Sequence, residues 1–390
     1  MRHHLPLCVS VVLLTTVSAW ADETTGLVRK ASPAGTASVV FVGDVMLDNG
    51  PGHAIASGRD PFAACAELLL DADFTIGNLE CVLGRAGKLA HKAYVFRAAE
   101  DAPRFLKRSF TAVSLGNNHA FDFGPEGLVA ALDILDREKI GRFGAGRTLA
   151  EARRPLVLEK DGLRIAILAA NGFRAMEYAA TDASPGVAPL READLLADIA
   201  AARKQADVVV PFVHWGDELV AGPLEADRLF ARKMIDAGAA AVIGGHPHVT
   251  QTVDVHRGAP IVYSLGNFVF DYYPCDPPEW TGWVVKLTIA KDEPVAVETR
   301  AVVLDTAGLP RPAKERRCST CATANRRLPT CGWHRLTTCA TGDCEGLPMP
   351  RESALLTSAG MDAGAQSASS ERSPGWAERT SGDGAWAAPR

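Results

Sequence analysis

The sequence lacks an excess of positive charge. Its 390 residues contain 41 Lys and Arg against 46 Asp and Glu, for a net charge of -5 at pH 7. The pattern shows no basic face, and nucleic acids are bound chiefly through such faces. We therefore expect no nucleic-acid partner. The hydrophobic content of 47% and the charged content of 22% are those of an ordinary globular protein, long enough for one large domain or two.

The N-terminal apolar stretch lacks the roughly 20 residues that a membrane-spanning helix requires. That stretch, residues 5–17, follows a positively charged start and precedes the small-x-small site Ala19-Trp20-Ala21. This pattern is typical of a cleaved export signal. We therefore expect residues 1–21 to be a signal peptide and the protein to be periplasmic or secreted.

Cysteine is scarce in the well-patterned part of the chain, which contains Cys65, Cys81 and Cys275. Five of the nine cysteines fall instead in residues 306–390, where apolar periodicity stops and Ser, Ala, Gly, Arg and Pro dominate. That composition predicts a disordered tail. In an oxidising compartment its cysteines could form disulfides, whose pairing the sequence does not assign.

Between these ends, strand-like apolar runs alternate with amphipathic helices. The predicted strands include 37–42, 73–76, 111–115, 208–213, 239–243 and 261–270, and the predicted helices include 61–70, 99–108, 128–135, 192–206 and 224–237. Lys160-Asp161-Gly162 adds a hairpin turn, because Asp-Gly favours the tight turns that join antiparallel strands. The alternation predicts an α/β domain over residues 36–305.

Residues of the types that bind metals follow the ends of five predicted strands. Carboxylate, carboxamide and imidazole groups together suit a divalent metal such as Zn²⁺, Mn²⁺ or Fe. No cysteine accompanies them, which argues against a closed structural zinc site. Because the carboxyl ends of strands in α/β sheets meet at one edge, we expect a centre of one or two ions. Its candidate residues are Asp44, Glu80, Asn118, His119, His214, His246 and His248.

Several of these residues also have an ordinary structural interpretation. Asp44 alone is typical of a turn former or cap, and His214 alone of a hydrogen-bonded core histidine. His246-Pro247-His248 is more specific, because two imidazoles fixed across a proline after a buried strand have little structural purpose. Asp48, Asp122 and Asp217 are interpreted as caps or as partners that orient imidazoles.

Four further residues are candidates for substrate binding. Arg85, Lys92 and Arg97 follow the second junction, where they could contact a substrate carboxylate or phosphate. The alternative is that they are solvated loop charges. Asn78 lies at the junction itself and completes this set.

Taken together, the motifs resemble the CapA family of capsule and poly-gamma-glutamate biosynthesis proteins, which has a calcineurin-like metallophosphatase fold. The resemblance covers residues 38–272. The motifs that carry it are Gly43-Asp44-Val45-Met46-Leu47, Asn78-Leu79-Glu80, Gly116-Asn117-Asn118-His119 with Asp122 and Gly124, His214-Trp215-Gly216, Gly245-His246-Pro247-His248 and Tyr263-Ser264-Leu265-Gly266-Asn267-Phe268.

The resemblance implies a four-layer α/β/β/α sandwich with a metal site at the top of two sheets. It implies that Asp44 and Asn118 bind metal. It also implies that His214 and His246 bind one ion and that His248 binds the other. His119 would protonate a leaving group or stabilise the transition state.

Two positions depart from the wider phosphoesterase superfamily. Met46 stands where the first motif has a histidine, and Asn78 stands where the second has a bridging aspartate. A neutral amide bridges two cations poorly, and Glu80 is the nearest carboxylate. The site is therefore expected to hold one ion, or two ions with Glu80 reaching in.

These features predict an exported CapA-like protein that acts in the biosynthesis or export of an anionic cell-surface polymer through a metal-dependent hydrolase site. The polymer, poly-gamma-glutamate or a related capsule, or its precursor is the expected partner, together with membrane-bound capsule synthesis proteins. A non-catalytic polymer-binding envelope protein is a second hypothesis, which Met46 and Asn78 favour. A generic periplasmic metallophosphoesterase is a third. The Asn118-His119 pair favours an enzyme, because a pure binding site needs no proton-donating histidine.

Overall fold

The computed structural model describes residues 27–271 and 281–313 and the backbone of residues 334–335. The predicted signal peptide (1–21), most of the predicted tail (306–390), Cys275 and the tail cysteines lie outside the described residues. Cys65 and Cys81 are both buried as free thiols.

The helices and strands follow the predicted alternation. The helices are α1 (Asn49–Ala56), α2 (Ala66–Leu70), α3 (Ala102–Ser109), α4 (Gly124–Glu138), α5 (Leu149–Ala152), α6 (Glu192–Ala202) and α7 (Glu225–Asp236), with a 3-10 turn at Ala63–Cys65. The strands are β1 (Thr36–Val45), β2 (Phe74–Leu79), β3 (Ala112–Ser114), β4 (Gly141–Phe143), β5 (Ala145–Gly146), β6 (Leu156–Lys160), β7 (Leu163–Asn171), β8 (Gly186–Val187), β9 (Val208–His214), β10 (Val242–Gly245), β11 (Val253–His256), β12 (Ala259–Val262), β13 (Asn267–Val269), β14 (Thr281–Ala290), β15 (Ala296–Leu304), β16 (Pro310–Pro312) and β17 (His334–Arg335).

Most of these strands form two sheets. The first has the order β16-β15-β14-β1-β2-β3-β4, with β13 paired to β1 and β17 paired to β15. The second has the order β11-β12-β10-β9-β7-β6. Strands β1, β2, β3 and β4 run parallel, as do β7, β9, β10 and β12, so their carboxyl ends lie on one side of each sheet.

The side chains of β1 show how the layers are built. Val39 and Phe41 pack between the two sheets, whereas Val40 and Val42 pack on the opposite face, against α3 and α4. Successive side chains of a strand point to opposite faces, so a continuous apolar strand contributes to two cores. Helices α6 and α7 cover the outer face of the second sheet in the same way. The predicted four-layer α/β/β/α arrangement is confirmed.

One predicted strand, residues 261–270, is wrong as a single element. It divides into β12, which belongs to the second sheet, and β13, which pairs with β1 in the first. Gly266 has φ 65°, a conformation that favours glycine, and the chain crosses between the sheets there. A Cβ on Gly43 would lie 1.8 Å from the Gly266 carbonyl oxygen, so the crossing requires glycine in β1 as well.

The predicted hairpin at Lys160-Asp161-Gly162 is confirmed. Strands β6 and β7 pair antiparallel, with Asp161 at φ 51° and Gly162 at φ 81°. Positive φ at both central residues is the requirement of a type I′ turn, which explains the Asp-Gly sequence.

Ordered contacts extend beyond both ends of the predicted domain, residues 36–305. Before residue 36, the Arg29 guanidinium donates to the Leu69, Ala72 and Ser109 carbonyls and to the Thr75 hydroxyl. Beyond residue 305, strand β16 pairs with β15, and the Phe270 amide donates to the Gly308 carbonyl at 3.1 Å. Short polar segments of this kind have no apolar periodicity, so the sequence pattern misses them.

We expect a chain ending after Asp305 to be less stable than one ending after Ala313. The shorter chain loses β16 and the hydrogen bond between Phe270 and Gly308. Several lost backbone hydrogen bonds, each contributing about 0.5–1.5 kcal/mol, predict a loss of roughly 2–4 kcal/mol. Chemical denaturation of the two truncated chains beside the full chain measures it, and equal midpoints for the two would contradict the role given to β16.

In the ranges 27–271 and 281–313, none of the helices has the length and apolar character that crossing a membrane requires.

Candidate metal centre

The predicted metal-binding residues meet where the carboxyl ends of the two sheets adjoin. Asp44 lies near the end of β1, and Glu80 follows β2 directly. His214 is the last residue of β9, and His246 follows β10. All four side chains are at least 97% buried, although the sequence separates the first from the last by about two hundred residues.

Short contacts connect the cluster. The Asp44 Oδ2 atom lies 3.2 Å from His248 Nδ1, and Glu80 Oε1 lies 3.2 Å from His214 Nε2. His246 Nδ1 lies 3.1 Å from His214 Nε2. The same His214 nitrogen is 2.8 Å from Asn118 Oδ1. The five titratable residues and Asn118 therefore form one continuous group of potential ligands.

Two overlapping sets of three residues have the spacing to hold an ion. Glu80, His246 and His248 form one set, and Asp44, Glu80 and His214 form the other, with all ligand atoms of a set within 4.8 Å of one another. Glu80 belongs to both sets. Its carboxylate is therefore placed where a ligand shared by two ions would lie. This grouping pairs His246 with His248, whereas the resemblance implied His246 with His214.

Unpartnered polar atoms indicate that the cluster fits a cation. Among the described residues, both Glu80 oxygens and His246 Nε2 are buried without a hydrogen-bond partner. Buried polar atoms are rarely left unpaired in proteins, and such exceptions call for a specific explanation. Two carboxylates and three imidazoles are also a donor set that suits Zn²⁺, Mn²⁺ or Fe.

The backbone at two of the histidines is strained. His246 has φ 95° and His248 has φ 57°, in a region that residues with a side chain seldom occupy. Each such residue costs about 1–3 kcal/mol, and such strain concentrates at functional sites. Pro247 stands between them, so the tripeptide presents both imidazoles in a rigid, energetically unfavourable conformation.

Burial dominates the ionisation of the cluster. It raises the pKa of Glu80 well above that of a solvated carboxyl, and repulsion from Asp44 acts in the same direction. It lowers the pKa of His214 to about 3 and the pKa of His246 well below its usual value. Burial also opposes charge on Asp44 and His248, but their mutual contact outweighs it and lowers the pKa of Asp44 while raising that of His248.

We expect metal binding near neutral pH to release protons. Ligands must be deprotonated to bind a metal, and Glu80 and His248 are the two groups whose pKa values are raised. Metal affinity should therefore fall as the pH is lowered. Calorimetric titration of Mn²⁺ in two buffers of different ionisation enthalpy measures the number of protons released, and a heat of binding that is the same in both buffers would contradict the expectation.

His119 stands beside this cluster with an anchoring partner. Its Nδ1 lies 2.8 Å from Asp122 Oδ2, and its ring packs 4.5 Å from the ring of Phe96. Burial lowers the pKa of His119 despite the opposing influence of Asp122. A carboxylate can only accept, so Nδ1 carries the hydrogen and Nε2 is the nitrogen left to exchange a proton. The predicted orienting role of Asp122 is confirmed, whereas Asp48 caps α1 through the Asn49 amide.

The four substrate-binding candidates are engaged within the protein. The Asn78 amide donates to Asp44 Oδ1 at 2.8 Å and its carbonyl accepts from Asn117. Arg85 is an exposed residue paired with Glu100 at 2.7 Å. The Arg97 guanidinium donates to backbone carbonyls of its own loop, at Gly84 and Ala86. All of these contacts are to other residues of the protein. A substrate role for Asn78, Arg85 and Arg97 therefore stays a prediction.

Lys92 is the one member of that set that reaches the site from its loop. Its ammonium donates to the Asn118 carbonyl at 2.9 Å and forms an ion pair with Asp122. Lys92 therefore contacts Asn118, a candidate metal ligand, and Asp122, the partner of His119.

Met46 stands at the position of the superfamily histidine, and its side chain packs in the hydrophobic core. Its sulfur accepts a hydrogen bond from the Asp48 amide at 3.1 Å, and its side chain is fully buried in the core beneath the first sheet.

The sequence analysis missed two residues that organise the site. The Asn117 amide donates to Asn78 Oδ1 and to the Leu79 carbonyl. Asn267 Oδ1 lies 2.9 Å from His248 Nδ1. Both occur in the motifs that carry the family resemblance, which was the available signal, but both are asparagines, and an asparagine alone is a weaker signal of a metal site than a histidine or a carboxylate.

Several known proteins are similar to this chain. The chain is 32% identical over 275 residues to the PGA biosynthesis protein CapA of Bacillus subtilis, covering 69% of this chain and 72% of that protein. It is 30% identical over 279 residues to the capsule biosynthesis protein CapA of Bacillus anthracis, covering 68% and 67%. Among solved structures it is similar to the calcineurin-like phosphoesterase YfkN of Bacillus subtilis, with 14% identity, a TM-score of 0.40 and coverage of 71% of this chain and 92% of that chain.

The sequence profile of the bacterial capsule synthesis protein PGA_cap family matches residues 38–272, which contain every candidate ligand of the centre. This chain therefore belongs to the PGA_cap family of bacterial capsule synthesis proteins.

Proposed function

We propose that this protein is an exported, metal-dependent hydrolase or transferase that acts on an anionic cell-surface polymer, poly-gamma-glutamate or a related capsule. The observation that carries the proposal is the buried Glu80 carboxylate, which belongs to both sets of potential ligands and has no hydrogen bond to either oxygen. A polymer-binding surface alone has no need of such a costly arrangement.

Asp44, Glu80, His214, His246 and His248 would hold one or two divalent ions. Asn118 would join them through the Oδ1 atom that already contacts His214. When bound, a divalent ion polarises a phosphoryl or carbonyl oxygen and so assists attack by water.

The chain itself supplies the proton transfer. His119 is held by Asp122 through Nδ1, which leaves Nε2 to give a proton to the departing group or to take one from the attacking group. General acid and base catalysis of this kind contributes about 10²–10⁴-fold. His119 is only 6% exposed, which limits its contact with bulk water.

The names of the relatives support the proposed polymer. Relatives at 30–32% identity are named for capsule or PGA biosynthesis, and export through residues 1–21 would bring this chain to the compartment of such a polymer. Membrane-bound capsule synthesis proteins are the partners that this role would require.

Two rival functions make different predictions. A polymer-binding protein without catalysis is favoured by Met46, whose sulfur accepts a hydrogen bond from the Asp48 amide. A generic phosphoesterase would hydrolyse simple phosphodiesters, which the polymer-binding protein would leave intact.

The decisive experiment measures metal content and turnover in the same samples. The mature protein and His246→Ala are purified, reconstituted with Mn²⁺ or Zn²⁺, and assayed on poly-gamma-glutamate and on bis-p-nitrophenyl phosphate. Metal that falls in the variant, with metal-dependent cleavage of the polymer, supports the proposal. Stoichiometric metal without turnover of either compound would favour the binding protein, and a wild type that holds no metal would refute the metal centre.

A further inference from the structure

Lys92 is a surface-loop residue by sequence, but its charge is directed into the protein. It lies between β2 and α3, and its side chain is only 11% exposed. The ammonium donates to the Asn118 carbonyl at 2.9 Å, pairs with Asp122, and lies 5.2 Å from the centre of the Tyr178 ring. A lysine so enclosed is not available to bind a substrate carboxylate.

Asp122 contacts both the loop that contains Lys92 and the candidate catalytic residue His119. Its side chain is fully buried, and Oδ2 accepts from the Phe96 amide at 2.7 Å as well as from His119. Its backbone carbonyl accepts from the Ala90 amide at 2.8 Å. Residues 90–96 thus hold both the backbone and the carboxylate of Asp122, while Asp122 holds His119.

A buried carboxylate needs a counter-charge. Removing one partner of a buried ion pair leaves an uncompensated charge, which is strongly unfavourable. Of the groups that contact Asp122, Lys92 is the permanent cation, because an imidazole is charged only when both of its ring nitrogens carry a hydrogen. Without Lys92, the Asp122 carboxylate would be buried with no permanent cation beside it.

We propose that Lys92 is a positioning residue for the reaction: its ammonium supplies the counter-charge that lets Asp122 hold His119 through Nδ1–H, and it fixes the Asn118 backbone beside the metal centre. The proposal rests on the proposed function, in which His119 transfers the proton. It replaces the interpretation of Lys92 as a substrate-binding residue. Remote support of this kind typically changes activity by about 10–100-fold.

The test uses four variants of the mature protein. Lys92→Met removes the charge with little change in volume, and Lys92→Arg retains a cation. Lys92→Met combined with Asp122→Asn removes both charges, so that it folds even if the single variant does not. Lys88→Met changes an exposed lysine of the same loop and serves as the matched control.

Three properties are measured for each variant: Mn²⁺ stoichiometry, kcat and KM on the compound that the wild type turns over, and the ¹⁵N NMR signals of the His119 ring. We expect Lys92→Met to lower kcat about 10–100-fold with an unchanged KM, to keep its metal, and to lose the Nδ1–H signal of the wild type. Lys92→Arg should retain most of the wild-type kcat and most of the Nδ1–H signal. The double variant should fold without recovering kcat.

The proposal is overturned if Lys92→Met keeps the wild-type kcat and ring signals, or if the double variant recovers full turnover. A rise in KM with unchanged kcat would restore the substrate-binding role and also overturn it. The ring signals are measured without substrate. A wild type that lacks turnover therefore refutes the proposed function, while the loss or survival of the Nδ1–H signal in Lys92→Met still decides the positioning role.

Discussion

Replacing Glu80 with Gln is expected to remove metal from both positions of the centre and to lower metal-dependent turnover by on the order of 10³-fold or more. Glu80 is the one residue common to both ligand sets, and its side chain is fully buried. The substitution keeps the shape of the side chain but removes the negative charge that two cations would share. Loss of the several kcal/mol that a metal contributes to the transition state accounts for the magnitude.

Metal content of purified Glu80→Gln, measured by mass spectrometry after reconstitution, checks the first part of this expectation. Glu67→Gln, which alters an exposed carboxylate on α2, is the matched control. Full stoichiometry in Glu80→Gln would show that the histidines and Asp44 suffice and that Glu80 is not the shared ligand.

Although Glu80→Gln should lower turnover, it should raise the stability of the metal-free protein at neutral pH. Burial, aided by Asp44, raises the pKa of Glu80 in the folded state. Between the unfolded and the folded pKa the native state binds more protons, so the metal-free wild type loses stability as the pH rises through that window. Gln cannot ionise. Chelator-treated Glu80→Gln should therefore unfold at a higher temperature than chelator-treated wild type at neutral pH, and the difference should shrink at pH 4.

Replacing His119 with Gln is the second large effect expected. We predict a fall in kcat of about 10²–10⁴-fold, because the side chain that transfers the proton is lost. Metal content should stay at the wild-type level, since His119 belongs to neither ligand set. This combination separates proton transfer from metal binding, which the Glu80 variant cannot do.

The control for His119→Gln is His53→Gln, an exposed histidine on α1. Assays of both variants on the same substrate, with metal analysis of the same samples, measure the effect. If His119→Gln retained wild-type kcat, the proton would come from another group or from water, and the role that the family resemblance implies for His119 would be wrong.

Much of the site was predictable because its residue types stand at the ends of strands. Asp44, Glu80, Asn118, His214, His246 and His248 each follow a buried apolar run, and the parallel arrangement of those runs brings them together. The hairpin at Lys160-Asp161-Gly162 was predictable for a similar reason, since the turn depends on two adjacent residues. Such features are predictable because they depend on residues that lie within a few positions of one another in the sequence.

Other features depend on contacts that no local pattern encodes. The division of residues 261–270 between two sheets follows from the close approach of Gly43 to the Gly266 carbonyl, more than two hundred positions away. Lys92 turns inward because a buried Asp122 lies within its reach. In the sequence both features resemble their commoner alternatives, a continuous strand and a solvated loop charge.

The sequence alone thus predicted the α/β class, the candidate metal-binding residues and the family, because periodicity and motif spacing are properties of short segments. The tertiary structure determined which candidate ligands lie close enough to hold one ion, that Glu80 belongs to both sets, and which cation pairs with Asp122. Those outcomes depend on distances between distant segments, and the distances are set by how two sheets and their covering helices pack against one another.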